Sequence, residues 1–300
     1  MQVFPLPTQA DTVGARCRLY RNVLASFLEA LADGRAALHL PKMDGLRRPG
    51  PGMFFHLNPE LFLQVGGAVR FECPGGGFTL RAGEIALMPR GVPHAEKVVG
   101  PRAGGFRGFV ICLFSTSAQV ICSDGRPGGP PSVGWADSFE ANGFGQAARY
   151  IDDAAALAPL HGRTVRRQRA ALAQAAIGAI DLAIGRAGSR PGGEIHPTAA
   201  SARAIVESEI SDPGLDVRGL AGRLGCSPDH LTRLFRKETG MTVREYVGEQ
   251  RLARARVLLQ DPQLNVSEVG WACGFSSPNY FVRAFRKATG RTPGEFRKVT

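Results

Sequence analysis

The chain has 300 residues, of which 44% are hydrophobic and 21% are charged. These fractions are typical of soluble globular proteins and exclude the disordered and fibrous classes. The length favours two domains with a connecting element. We find no apolar run near the roughly 18 residues of a membrane span and no secretory signal at the start of the sequence. We therefore expect a cytoplasmic protein that does not enter a membrane.

The net charge of +11 favours polyanionic partners such as nucleic acids. The excess is nevertheless spread along the chain. Residues 200–300 carry 16 Lys and Arg against 11 Asp and Glu, and residues 1–199 carry 21 against 15. Charge alone therefore supports DNA binding weakly, and the motifs have to decide.

The cysteines are scattered and form no Cys-x-x-Cys pair. They are Cys17, Cys73, Cys112, Cys122, Cys226 and Cys273. In a reducing compartment this pattern indicates free, mostly buried thiols and not a disulfide framework. A thiol-based sensor is the alternative, although nothing local suggests a lowered thiol pKa.

The segment 1–125 is predicted to form an antiparallel all-β unit. Apolar runs of strand length, broken by Gly and Pro, fill Phe54–His94 and continue in Phe106–Ser115. Runs of this length with turn residues between them are typical of antiparallel sheets. The stretch Asp124–Ser132, rich in Gly and Pro, predicts a turn-rich break after this unit.

Residues 126–187 are predicted to form a helical connector, because the composition becomes Ala-rich from about Asn142. An amphipathic stripe at spacings of three and four supports a helix: Ala170, Ala173, Ile177, Ile180 and Ile184. Such a stripe usually packs in a core, and the alternative is a subunit interface in a homodimer. Residues 188–199 are predicted to be a linker, because Gly, Ser and Pro do not easily continue a helix.

Beyond the linker, residues 200–300 repeat themselves at an offset of fifty residues. The run Phe235–Gly240 matches Phe285–Gly290 at most positions. Each copy has a Ser-Pro pair that predicts a helix N-cap followed by a first-turn proline, and a glycine where a C-terminal cap is needed. The repeat therefore predicts two helix-turn-helix pairs, namely Val217–Leu224 with Pro228–Thr239, and Val266–Ala272 with Pro278–Thr289.

The second helix of each pair is predicted to enter the major groove of duplex DNA. Its apolar side chains share one face, and polar side chains occupy the other. Arg can donate two hydrogen bonds to guanine and Asn can pair bidentately with adenine, each worth ~1–3 kcal/mol of discrimination. One such face alone would be an ordinary solvated surface, but two matched copies favour DNA recognition. The outward residues are Asp229, Thr232, Arg233 and Arg236, then Asn279, Val282, Arg283 and Arg286.

A continuous helix is predicted over Val243–Leu259, between the two pairs. A stiff connector would hold the two recognition helices at a fixed separation. If that separation is about 34 Å, both helices can enter successive major grooves on one face of the DNA. The candidate phosphate contacts, which position a domain without specifying sequence, are Arg218, Arg244, Arg251 and Arg254.

Residues Ala200–Lys298 closely resemble the AraC/XylS family of bacterial transcription regulators. The most specific match lies in Val266–Arg297, and Leu220–Val247 fits the first helix-turn-helix unit. The resemblance implies a seven-helix domain that binds two adjacent major grooves. By position, it assigns base contacts to Asp229, Thr232, Arg233, Pro278, Asn279 and Arg283. Asp229 and Pro278 depart from what such contacts need, because neither side chain donates hydrogen bonds to bases.

The first part of the chain resembles, less specifically, the small β-barrel of cupins. The residues that approximate the two cupin motifs are Gly50, His56, Asn58, Glu60 and Gly67, then Gly83, Pro89, Gly91 and His94. Asn58 replaces the second histidine of the family, and Asn is a poor transition-metal ligand. We expect an effector pocket lined by His56, Asn58, Glu60, Gln64 and His94, with Phe55 and Phe62 nearby. The alternatives are a metal site on His56, Glu60 and His94, or histidines satisfied within turns and strands.

The sequence therefore predicts an α+β multidomain protein with a cupin-like β-barrel, a helical connector and an all-α double helix-turn-helix domain. The predicted function is sequence-specific transcription regulation without a catalytic site or a cofactor. The expected partners are double-stranded DNA, a small-molecule effector and a second copy of the chain. Two rival interpretations stay open: a metal-dependent cupin enzyme with a regulatory C-terminal part, and an architectural protein that binds DNA without sequence choice.

Overall fold

The computed structural model describes residues 4, 7, 11–41, 53, 58–100, 106–114, 117–188, 197–260, 262 and 264–298. The chain divides into two compact units. Described residues 11–41 and 58–188 belong to the first unit, and described residues 197–298 belong to the second.

The first unit begins with a helix, α1 (Val13–Ala32), inside the segment predicted to be all-β. The Thr12 hydroxyl accepts a hydrogen bond from the Ala15 amide at 3.2 Å and caps the helix. A buried stripe then follows at helical spacing, formed by Tyr20, Val23, Leu24, Phe27 and Leu31. Arg16 fixes the helix to the sheet, because its Nε donates to Asp137 Oδ2 at 2.8 Å.

Two open sheets follow, and within the described residues they do not close into the predicted barrel. The larger sheet has the strand order β1 (Leu38–His39), β5 (Ile85–Met88), β2 (Glu60–Gly66), β7 (Phe106–Leu113), β8 (Ser117–Gly125) and β9 (Ser132–Glu140). The smaller sheet has the order β4 (Phe78–Arg81), β3 (Ala68–Glu72) and β6 (Ala95–Val99). The chain passes from one sheet to the other at Gly67, whose positive φ of 67° turns it sharply.

Strand β2 separates two hydrophobic clusters, because its side chains alternate between the faces of the sheet. Leu61 and Leu63 point to the cluster that includes the helices. Phe62 belongs instead to a second cluster with Phe71 and Val98 from the smaller sheet. The polar residues Glu60 and Gln64 share the face of Phe62, and this places them between the sheets.

The segment 126–187 differs from the predicted connector, because all of its elements belong to the first unit. It supplies strand β9 and the helices α2 (Phe144–Ala156) and α3 (Arg163–Gly188). Ala173, Ile177, Ile180 and Ile184 are fully buried in the core that α1 and α2 share with α3. The stripe is therefore core packing, and a subunit contact has to use another surface.

Helix α3 is also long and apolar enough to cross a membrane by length and composition alone, from Arg163 to Ala187. Its buried stripe faces α1 and α2 inside the first unit. The core helix of a folded domain has the same length and composition, so this feature is weak evidence for a membrane span.

All described secondary-structure elements of the second unit are helices. It contains α4 (Pro197–Ser208), α5 (Val217–Arg223), α6 (Pro228–Thr239), α7 (Val243–Leu258), α8 (Val266–Ala272), α9 (Pro278–Thr289) and α10 (Pro293–Arg297). The predicted bounds of α5 to α9 are confirmed to within one residue. Their accuracy comes from the local capping residues, which the next section describes.

Candidate nucleic-acid interface

The first helix-turn-helix pair consists of α5 and α6, joined by a short turn. The Asp216 carboxylate caps α5 by accepting from the Gly219 amide at 2.7 Å. Gly225 lies in the turn with a φ of +64°. The Ser227 hydroxyl then caps α6 by accepting from the His230 amide at 3.2 Å. Each end of the pair is therefore fixed by a residue that is visible in the sequence.

The second pair, α8 and α9, repeats this arrangement fifty residues later. Asn265 and Glu268 form a reciprocal capping box at the start of α8. Gly274 lies in the turn with a φ of +77°. The Ser277 hydroxyl caps α9 by accepting from the Tyr280 amide at 3.1 Å.

The ends of the two recognition helices also match in detail. Gly240 and Gly290 end α6 and α9 in the left-handed conformation, with φ values of 77° and 76°. Ring packing matches as well: Phe235 lies 5.3 Å from Tyr246, and Phe285 lies 5.4 Å from Phe296, between ring centroids. The sequence repeat is therefore a structural repeat, and positions fifty residues apart are equivalent.

Each recognition helix buries one face and exposes the opposite one. Leu231 and Phe235 of α6 are fully buried, as are Phe281 and Phe285 of α9. The predicted outward residues keep the same exposure in both copies. Asp229, Arg233, Arg236, Asn279, Arg283 and Arg286 are exposed, whereas Thr232 and Val282 are half-buried beside them. Pro278 is half-buried at the first position of α9.

Comparisons with known proteins find matches to this part of the chain. Residues 220–299 match the family model described as "Helix-turn-helix domain". The HTH-type transcriptional regulator GlxA of Rhizobium meliloti is 40% identical over 106 residues, which are 35% of this chain and 32% of that protein. The arabinose operon regulatory protein of Escherichia coli is 34% identical over 92 residues, 31% of this chain and 32% of that protein. The matches thus span about a third of the length of these relatives.

The C-terminal part of this chain is an AraC/XylS-type DNA-binding domain. Among solved structures, an AraC-type transcriptional regulator from Chromobacterium violaceum is 36% identical, covering 34% of this chain and 90% of that one with a TM-score of 0.32. Because this TM-score is low, the assignment depends on the sequence match and on the duplicated helices.

Within the AraC-type domain, the four candidate phosphate contacts fall into two classes. Arg218 and Arg244 are exposed. Arg251 instead donates to the backbone oxygens of Ile210 at 3.1 Å and Asp212 at 2.6 Å. Arg254 is only 7% exposed. Arg254 is therefore buried and the half-buried Arg251 is held by backbone oxygens, so a phosphate contact would require either side chain to leave its present surroundings.

Two exposed aromatic residues of the AraC-type domain were not predicted as site residues. Tyr280, in the first turn of α9, is 48% exposed, and Trp271 of α8 is 38% exposed. Tyr280 also packs against Phe275, with ring centroids 5.9 Å apart. Its position next to Asn279 was a usable signal, because first-turn residues of a recognition helix lie near the bases.

The described candidate effector residues belong to the first unit, and two of them, Glu60 and His94, come close together. His94 Nε2 lies 3.7 Å from Glu60 Oε2 and 3.9 Å from Glu96 Oε1. Glu60 and His94 are almost fully buried, at 3% and 1% exposure. Cys112 Sγ donates to Glu60 Oε1 at 3.1 Å. Glu96, which the sequence did not single out, therefore joins this cluster from the smaller sheet.

Strand register extends the cluster into a polar row across the inner face of the larger sheet. Glu60 pairs with Cys112, Cys112 with Gln119, and Gln119 with Ser138. We call these four residues, together with His94 and Glu96, the inner polar row. The neighbouring row of side chains on the same face of the sheet, which includes Phe62, is apolar. The inner face therefore combines hydrogen-bonding groups with an apolar wall.

The other three candidate effector residues do not join this row. Gln64 lies farther along β2 and donates to the backbone oxygens of Gly66 at 2.6 Å and Arg107 at 3.2 Å. Asn58 is half-buried before β2. His56 lies outside the described residues, so its place in a pocket or metal site stays a prediction. Among the side chains that are described, no group of three or more His, Cys, Asp or Glu is placed to hold a metal ion.

Burial shifts the pKa values of two members of the inner polar row, His94 and Glu96, in opposite directions. It lowers the pKa of His94 to about 4, and the bond from the ring Nδ1 to the Val92 oxygen at 3.1 Å offsets this only in part. Burial, together with the charge of Glu60, raises the pKa of Glu96 to about 8. Near neutral pH, Glu96 is therefore protonated and His94 is uncharged.

These shifts predict a pH-dependent stability of the first unit. Between pH 4.5 and 8 folded Glu96 holds a proton that the unfolded chain releases, so stability falls as pH rises. His94 opposes this between pH 4 and 6.5, because only the unfolded chain protonates it there. Of these two groups, only Glu96 still changes the unfolding free energy between pH 6.5 and pH 8. The unfolding free energy should fall by ~1.4 kcal/mol per pH unit.

The measurement is denaturant unfolding at pH 6.5 and pH 8 in a Trp271→Phe background, where Trp135 alone reports on the first unit. Glu96→Gln should remove the difference between the two pH values. An equal fall in the Glu96→Gln variant would assign the pH dependence to another group.

Proposed function

We propose that this protein is a transcription regulator that binds a specific DNA sequence and responds to a small-molecule effector bound in its first unit. The observation that carries the DNA-binding part is the matched pair of helix-turn-helix units. Their recognition helices expose equivalent arginines, Arg233 and Arg283, beside small side chains. Two helix-turn-helix pairs linked by the single helix α7 suit two successive major grooves.

The DNA contacts divide into those that specify sequence and those that position the domain. Arg233 and Arg283 are assigned to guanine, because a guanidinium donates two bonds to guanine O6 and N7. Arg236 and Arg286 lie one turn farther along each helix and extend the same face. The exposed Arg218 and Arg244 are assigned to phosphates.

The effector part of the proposal rests on the inner polar row. Its carboxyl, imidazole, amide and hydroxyl groups run alongside the apolar row that begins at Phe62, and a few polar groups in an apolar surrounding are typical of small-molecule sites. An effector can regulate only if it binds one arrangement of the protein better than another. We also expect a homodimer, held by a surface other than the buried stripe of α3.

The experiment is footprinting of the purified full-length protein on the DNA upstream of its own gene, with and without a panel of small polar metabolites. The proposal predicts a sharp protected site whose occupancy or geometry changes with at least one compound. Broad occupancy without sequence choice would favour an architectural protein. An unchanged footprint and unchanged transcription across the panel would contradict control by those effectors.

A metal-dependent enzyme stays the rival function, and metal analysis of the purified protein separates the two. Stoichiometric metal that is lost in a Glu60→Gln or His94→Gln variant would favour the enzyme. The regulator requires no such metal, and its DNA binding should survive treatment with a chelator.

A further inference from the structure

The two recognition helices differ at their first outward position, where α6 has Asp229 and α9 has Asn279. Both residues directly follow a Ser-Pro cap, and both are exposed. The capping distances of 3.2 Å and 3.1 Å show that the two helices start in the same way. The difference therefore lies in the side chains and not in the scaffold.

Apart from the exposed pair His230 and Tyr280, the remaining outward positions present equivalent groups to DNA. Arg233 and Arg283 are identical and equally placed. Thr232 and Val282 differ in polarity, but Thr232 Oγ1 donates back to the Pro228 oxygen at 2.9 Å. The hydroxyl proton is thus used within the helix, and a methyl group is left for the groove. Both units can therefore contact a thymine methyl and a guanine.

Asp229 and Asn279 require different bases. An ionised carboxylate only accepts hydrogen bonds. Guanine and thymine present acceptors in the major groove at the positions that a side chain would reach, and adenine presents an acceptor beside its amino group, whereas cytosine presents the amino group alone. An Asn side chain donates and accepts, which suits adenine N7 and N6. In α6, Asp229 has no hydrogen bond or ion pair to another described residue that would occupy its oxygens.

We infer that Asp229 selects cytosine in the DNA sub-site of the first unit, at the position where Asn279 selects adenine in the sub-site of the second. This inference rests on the proposed function, because it specifies which bases the two helices select. At the positions of Arg233 and Arg283 and of Thr232 and Val282 the two sub-sites are alike, each with one guanine and one thymine. Within these base-contact positions, the Asp229–Asn279 difference distinguishes the two sub-sites, and so sets which helix-turn-helix unit occupies which one.

The test is selection of binding sites from random duplex DNA with the full-length protein, followed by affinity measurements at fixed salt. Wild type should select cytosine in one sub-site and adenine at the equivalent position of the other. Asp229→Asn should replace that cytosine with adenine and leave the remaining positions unchanged. The exchange variant Asp229→Asn with Asn279→Asp should prefer an operator with the two bases exchanged, by about 30- to 25,000-fold over the original, because both contacts change.

Glu238→Gln is the matched control, because it removes one negative charge from the same helix away from the outward positions. It should change overall affinity and salt dependence but no base preference. Melting curves of all variants check that the helices are intact, since Asp229 also stabilises the first turn through its charge.

The outcomes separate the inference from the proposed function. If wild type selects no defined sequence, the proposed function fails. If wild type selects a sequence and Asp229→Asn leaves every base preference unchanged, or relaxes all positions equally, the assignment of Asp229 to cytosine is wrong.

Discussion

Replacement of both Arg233 and Arg283 by alanine is expected to abolish most of the sequence preference of the protein. Each guanidinium is exposed at an equivalent position on the outer face of its helix. Loss of one bidentate contact to guanine costs ~1–3 kcal/mol, and distant contacts add, so the double variant should lose ~2–6 kcal/mol on the specific duplex. Fluorescence anisotropy on specific and scrambled duplexes at one salt concentration measures this loss.

Lysine variants at the same two positions provide the control. Arg233→Lys with Arg283→Lys keeps the positive charge but loses the planar fork that matches guanine. Binding to scrambled DNA should therefore stay near wild type, while binding to the specific duplex falls. If the alanine variant weakens on both duplexes by the same factor, the two arginines contact phosphates and do not specify bases.

Gly274→Ala is expected to destabilise the AraC-type domain strongly. The φ of +77° is unfavourable for any residue with a Cβ, and a Cβ here would lie 2.3 Å from the Ile210 oxygen and 2.9 Å from Arg251 Nε. Backbone strain and overpacking together should cost ~2–6 kcal/mol. The contacts from Arg251 to Ile210 and Asp212 would be disturbed at the same time.

Gly225→Ala is the matched control, because Gly225 holds the equivalent turn of the first pair with a φ of +64° and nothing within 4 Å of the added Cβ. This substitution should lower the free energy of unfolding only through backbone strain, by about 1–3 kcal/mol. Unfolding followed through Trp271, in a Trp135→Phe background, compares the two variants in the second unit. Equal destabilisation by both would show that the clash at Gly274 is unimportant.

The AraC-type domain could be predicted from sequence because its boundaries are set locally. Ser227, Ser277, Gly240 and Gly290 act on the turn that they begin or end, and neighbouring residues alone decide their bonds. The repeat added a second, independent copy of each signal. Burial of Arg251 and Arg254 could not be predicted in this way. For Arg251 it depends on contacts with Ile210 and Asp212, some forty residues away in sequence.

The first unit was harder to predict because long-range pairing decides its shape. The apolar spacing of Tyr20, Leu24, Phe27 and Leu31 does indicate α1, but it stands next to a segment whose short apolar runs suggest strands. The stripe of α3 predicted one buried face and could not say what covers it. Likewise, no local pattern places Glu60 beside Cys112, since their pairing depends on the register of β2 with β7.

Methylation protection of guanine N7 on a selected operator tests the central claim most directly. Wild type should protect one guanine in each of two major-groove patches about 34 Å apart on one face of the DNA. Arg233→Ala should restore methylation in one patch only, and Arg283→Ala in the other only. Protection that is uniform along the duplex, or that both variants retain in both patches, would contradict recognition of DNA by the two helix-turn-helix units.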